Sequence, residues 1–181
     1  MNTKHIIIEK TIDVLLEKGF HGTRLDEILK YSQVSKGSLY YYFPKGKKEL
    51  CIECLRLYTI KLSLQYKKIF KESNLLGEGL IKIIENSKFN LENSCFKTGS
   101  LLVNISQEID SNQKDLQEIC KDLFELILHT FENFFLEYRF KKWQQAARIF
   151  VLKLNGAIIL SKACKNTIFL EDLKNEYSNI R

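Results

Sequence analysis

The sequence predicts an all-α chain with an N-terminal helix-turn-helix, and three observations predict it. Proline occurs once in 181 residues, at Pro44, and glycine eight times, so little interrupts helical hydrogen bonding over long stretches. Apolar residues recur at three- and four-residue spacing along most of the chain, the period of a helix with one buried face. Two short helical segments, separated by the tripeptide Ser32-Gln33-Val34, are stopped by the single proline.

Each element has its own signal. From Thr3 to Lys18 the residues Ile8, Ile12, Leu15 and Leu16 fall on one face, and Gly19 supplies a stop. Thr23 followed by Asp26 is close to a capping box. Leu25, Ile28 and Leu29 then form a short inward stripe, ending near Tyr31. Ser35 is placed to cap a two-turn helix from Lys36 to Tyr42, which Pro44 terminates. A long helix is expected from about Lys47 to Lys71. Further helical patterns cover roughly Leu75 to Ser87, Ser100 to Ile109, Gln113 to Phe140, Lys142 to Lys165 and Ile168 to Tyr177. Asn and Ser clusters separate them, and there is no internal repeat.

A helix that enters a major groove needs small or polar residues toward the bases, apolar residues behind, and cations or hydroxyls at the phosphates. The stretch from Ser35 to Lys48 supplies all three. Leu39 and Phe43 share an inward face, Gly37 and Tyr41 a second, Ser38 and Tyr42 a third. Tyr40, Tyr41 and Tyr42 are consecutive, so they point about 100° apart and cannot all face one core. At least two must project outward, where a tyrosine touches a thymine methyl or donates to a phosphate.

Composition bounds the alternatives. With 28 Lys+Arg against 22 Asp+Glu the formal charge is +6, and the first fifty residues hold nine of those cations and six of the acids, a mild N-terminal basic tilt that suits a polyanion. Five cysteines, an odd number, and an apolar run Ile6–Ile8 broken by Glu9 and Lys10 argue against a secretory leader and for a reducing cytoplasm. The most apolar stretch, Ile149 to Leu160, contains Lys153 and Asn155 and is shorter than the roughly 20 residues a bilayer span needs, so no membrane partner is expected. Cys51 and Cys54 form a C-x-x-C, but inside a helix and with His5, His21 and His129 scattered, so no metal or cofactor is expected. A redox-responsive regulator built on that pair is the minority reading. No nucleophile elbow, phosphate-binding glycine loop or metalloprotease motif supports an enzyme, and Glu108 and Asp110 read as surface or cap residues. An all-helical ligand carrier fits the C-terminal two-thirds equally well, and the first fifty residues weigh against it.

The segment Gly19-Phe20, Thr23, Ile28, Val34 through Phe43, Lys47 and Leu50 resembles the DNA-binding domain of TetR-family transcriptional regulators over residues 7–51. Cys95 to Glu108 and Leu152 to Leu160 resemble the branch of lincomycin- and flavonoid-responsive repressors. The resemblance implies a helix-turn-helix domain at 1–46, a ligand-binding and dimerisation domain at 47–181, and a ligand-responsive repressor that binds a palindromic double-stranded operator as a homodimer. It implies that Lys36 and Gly37 begin the recognition helix and that Tyr41 reads base edges. Thr23, Ser38, Tyr40, Tyr42 and Lys47 are implied phosphate contacts, with Ser35 at the helix start. The chain departs from the family pattern in having Ser32 and Gln33 in the turn. It also has one additional residue in Phe-Pro-Lys-Gly-Lys, so either Lys45 or Lys47 takes the phosphate, with Lys47 favoured by its place in the first turn of the long helix. Phe150, Leu154, Ala157, Ile158 and Leu160 are the implied dimer interface. Phe96, Phe131 and Trp143 are the aromatic candidates for a small, apolar or aromatic effector.

Overall fold

A computed structural model of the chain describes residues 2–110, 112–178 and 180. The described residues form nine α-helices and no strand: α1 (Thr3–Gly22), α2 (Leu25–Ser32), α3 (Lys36–Tyr42), α4 (Lys47–Lys71), α5 (Leu76–Asn93), α6 (Leu101–Gln107), α7 (Lys114–Glu137), α8 (Trp143–Cys164) and α9 (Ile168–Tyr177). They make two compact units, one of residues 1–60 with 101–123, the other of 61–100 with 124–181. The chain of α4, and likewise that of α7, contributes to both.

In the first unit α1 packs on α2, α3 and α6. Its inward residues Ile7, Ile8, Ile12 and Leu15 are buried, as are Ile28 of α2, Leu39 of α3 and Leu50 and Leu55 of α4. Gly19 leaves the helical region (φ 70°, ψ −172°), yet one more turn follows it before α1 ends at Gly22. The glycine is thus a kink where the sequence reading placed a stop. At the other end the Asn2 carboxamide accepts the Lys4 N–H at 3.1 Å, satisfying one of the unpaired donors of the first turn.

The second unit is built from α5, α8 and α9, which pack on one another, with the last part of α4 and most of α7. Its core centres on rings: Phe131 meets Tyr66, Phe70, Phe134 and Phe150, with Phe70 stacked on Phe134 at 3.7 Å between centroids. A buried hydroxyl pair, Ser63 with Thr130 at 2.9 Å, joins α4 to α7 within it. Helix α5 runs past Ser87, where the sequence suggested an end, because the Ser87 hydroxyl donates to the Ile83 carbonyl at 2.9 Å inside the helix and Leu91 continues the buried stripe. Helices α5 and α7 finish alike. Cys95 and Arg139 adopt left-handed φ of 51° and 54°, and the amides of Phe96 and Phe140 return to Leu91 and Phe135, a Schellman closure made without glycine.

Candidate nucleic-acid interface

Helix α3 begins as its sequence dictates. Ser35 is the N-cap, its hydroxyl accepting the Ser38 N–H at 3.1 Å. Leu39 and Phe43 are fully buried, and the Phe43 amide closes the helix on the Leu39 carbonyl at 2.8 Å. With these anchors behind it, α3 turns Lys36, Gly37, Tyr40 and Tyr41 outward. Tyr41 is 80% exposed, and its ring meets that of Tyr42 edge-on at 5.0 Å. Ser38 and Tyr42 are half-buried. A shallow depression between α2 and α3, lined by Leu25, Asp26, Leu29, Lys36, Leu39 and Tyr40, borders this face. The turn before α3 places Gln33 in the left-handed region (φ 55°, ψ 35°), so the helix-turn-helix bend forms without glycine at an energetic cost.

The joint between α1 and α2 differs from expectation. Arg24, not Thr23, is the N-cap of α2, and it makes no side-chain cap. Thr23 is 1% exposed, and its hydroxyl donates back to the Gly19 carbonyl at 2.6 Å. Its hydroxyl is therefore committed inside the fold and not offered to a phosphate. Lys47, in the first turn of α4, donates to the carbonyls of Phe20 at 2.9 Å and Thr23 at 3.1 Å and lies 4.4 Å from the centre of the Phe20 ring. Lys48 pairs with Asp115, whose carboxyl is held below its usual range by that contact. Lys45 is exposed, and its own amide donates to the Glu49 carboxylate at 2.9 Å. From just beyond α6, Glu108 accepts the His21 N–H at 2.7 Å, and its carbonyl accepts from the His21 ring Nε2 at 2.9 Å. The sequence reading left Glu108 as a surface or cap residue, and its distant acceptor site at His21 was not legible there.

The aromatic and apolar candidates separate by helix phase. Phe131 is fully buried among four rings, so it is a core residue and lines no open cavity. Phe96 and Trp143 are half-buried and pack against the same core. Phe150, Leu154 and Ala157 are 0%, 3% and 7% exposed, which corrects their assignment to a dimer surface. They belong, with Ala147 and Ser161, to the stripe of α8 that is buried within the chain. Ile158 is half-buried, whereas Leu160 is exposed. The exposed stripe of α8 is Ile149, Leu152, Ile159 and Leu160, with Gly156 among them facing open space. An apolar helix with two such stripes gives no local sign of which one turns inward.

Cys51, Cys54 and Cys120 are buried free thiols. Burial pushes the Cys51 thiol up to about 12, Cys120 up to about 11, and Cys54 well above its ordinary value. A redox sensor needs an accessible thiolate, and these sites disfavour one. Among the described residues no group of His, Cys, Asp and Glu could hold a metal ion, and no helix is long and apolar enough to cross a membrane.

A helix-turn-helix that presents an exposed, tyrosine-bearing second helix, followed by a helical unit with its own aromatic core, defines a DNA-binding transcriptional regulator. The model of the tetR family of bacterial regulatory proteins matches residues 7–54, and that of the LmrA/YxaF-like transcriptional regulator C-terminal domain matches residues 77–176. The chain belongs to the TetR family, in its LmrA/YxaF-like group. It is 28% identical over 152 residues to the uncharacterized HTH-type transcriptional regulator YxaF of Bacillus subtilis, spanning 82% of this chain and 79% of that one. The fold is shared with the reduced form of Escherichia coli NemR, at TM-score 0.89 and 18% identity over 99% of this chain and 97% of that chain. It is shared too with a cysteine mutant of the TetR-family regulator CifR complexed with 26-bp double-strand operator DNA, at TM-score 0.81 and 15% identity, covering 94% and 93%.

Proposed function

We propose that the chain represses transcription as a homodimer seating its two α3 helices in successive major grooves of a palindromic operator, and that a small apolar or aromatic effector releases it. One observation carries this reading: Leu39 and Phe43 are buried while Lys36, Gly37, Tyr40 and Tyr41 stand outside. In the proposal Tyr41 reads base edges, while Lys36, Ser35, Ser38, Tyr40 and Tyr42 serve the phosphates. Residues 1–46 read DNA, residues 47–181 bind effector and pair the subunits, and the protein works in the cytoplasm. The operator complex of CifR, a protein of the same fold, supports the DNA half.

A single short helix reads too few bases for specificity, and two related by a twofold axis double the reading. The exposed stripe Ile149, Leu152, Gly156, Ile159 and Leu160 of α8 is the surface proposed to meet its copy. The effector half rests on Phe96 and Trp143, half-buried aromatics at the edge of the second core. An effector acts by binding the DNA-incompetent arrangement more tightly than the competent one.

The test is a fluorescence-anisotropy titration against duplexes tiling the region upstream of the protein's own gene, with excess nonspecific DNA, at two salt concentrations. Saturable, competitor-resistant binding to one palindromic tile, lost about tenfold or more in Tyr41→Ala, is the expected result. Sequence-blind binding to every tile and to fragments selected from the whole genome overturns it.

A further inference from the structure

The last turn of α1 and its junction with α2 are held from two sides by residues far away in sequence. The carbonyls of Phe20 and Thr23 accept from the Lys47 ammonium of α4. The His21 N–H donates to the carboxylate of Glu108, just beyond α6. That carboxylate lies where a Cβ on Gly19 would be, so only the glycine kink lets it approach. The cation sits on carbonyls and the anion on an amide, each the partner its charge favours. We propose that Lys47 and Glu108 are positioning residues for operator binding: together they fix the pose of α2 and α3 against α1, and the phosphate contact at the start of α4 belongs to Lys45.

Three lysines lie at or just before the start of α4, and the structure uses two of them internally. Lys47 has two of its three donors on carbonyls and its charge over the Phe20 ring. Lys48 is paired with Asp115. Lys45, exposed beside Gly46, is the one whose ammonium has no carboxylate or carbonyl partner among the described residues. Lys47 has one N–H left beyond its two carbonyl partners, whereas Lys45 has its whole ammonium to offer a phosphate.

The inference rests on the operator-binding reading, and salt dependence separates the two. Each lysine that neutralises a phosphate contributes about 0.9 to the slope of log K against log salt. The probe is the labelled upstream tile that the unaltered chain binds. Lys45→Ala is expected to flatten the slope by about 0.9 per lysine lost. Lys47→Met and Glu108→Ala are expected to weaken binding at least tenfold with the slope unchanged. Lys47→Arg and Glu108→Gln, which keep a donor and an acceptor, restore most of the affinity, and circular dichroism at the assay temperature establishes that each variant is folded. A Lys47→Met variant that flattens the slope as Lys45→Ala does overturns the clamp while leaving operator binding intact. An unaltered chain that binds no duplex specifically overturns both.

Discussion

The carboxylate of Glu108 occupies the space that a Cβ on Gly19 would need. Gly19 also has φ 70° and ψ −172°, a region essentially restricted to glycine, where another residue costs on the order of 1–3 kcal/mol. Gly19→Ala is therefore expected to lower stability by about 2 kcal/mol or more, read as a lower thermal midpoint. Because strain and overlap act together, adding Glu108→Ala should recover only the overlap part, so the two changes are non-additive. Equal midpoints for Gly19→Ala and the unaltered chain would contradict the geometry.

The exposed stripe of α8 makes a second prediction. Leu152 is 72% exposed, so a charge there costs a folded monomer little, whereas a charge buried without a partner at a dimer contact costs several kcal/mol. Leu152→Glu should halve the mass measured by light scattering while leaving helicity intact. Phe150→Ala should do the reverse, lowering stability by about 3–5 kcal/mol through a core cavity. A Leu152→Glu variant that keeps the mass of the unaltered chain would remove α8 from the interface.

The buried thiols predict a pH dependence. Cys51 and Cys120 titrate near 12 and 11 in the folded chain against an ordinary 9.0, so between those values the folded state holds more protons than the unfolded one. Stability is then full below pH 9 and falls as pH rises toward the folded values, by roughly 1.4 kcal/mol per pH unit per thiol once above 9. Urea midpoints at pH 8, 9 and 10 should decline, and Cys51→Ala should decline less steeply. Parallel curves would show that this thiol is not protected.

Gln33 predicts a stabilising change. Its left-handed backbone (φ 55°) is strained by about 1–2 kcal/mol for a side-chain-bearing residue. Glycine relieves that strain but gives part back as unfolded-state entropy. Gln33→Gly should raise stability by about 0.5–1 kcal/mol, measured by chemical denaturation, and a lower stability would mean that the Gln33 side chain supports the turn.

These residues divide according to the range of the interactions that place them. The limits of α3 and its Ser35 cap were readable because they depend on groups within a few residues, and so was the outward turn of the tyrosines, which follows from helical geometry alone. The end of α5 was misread because a serine hydroxyl serves a helix interior as readily as a cap, and only the surrounding core chooses between them.

What the sequence by itself determined is the order and nature of the helices, the placing of a helix-turn-helix before residue 46 and the family to which it belongs, since local periodicity, caps and a contiguous motif carry all three. Tertiary structure alone decided that Thr23 and Lys47 hold the α1–α2 joint, that Glu108 reaches His21 across 87 residues, and which stripe of α8 is buried. The physical reason is common to all of these. A hydrogen bond or an apolar face has many acceptable partners, and the one it takes is set by which distant elements the fold brings against it.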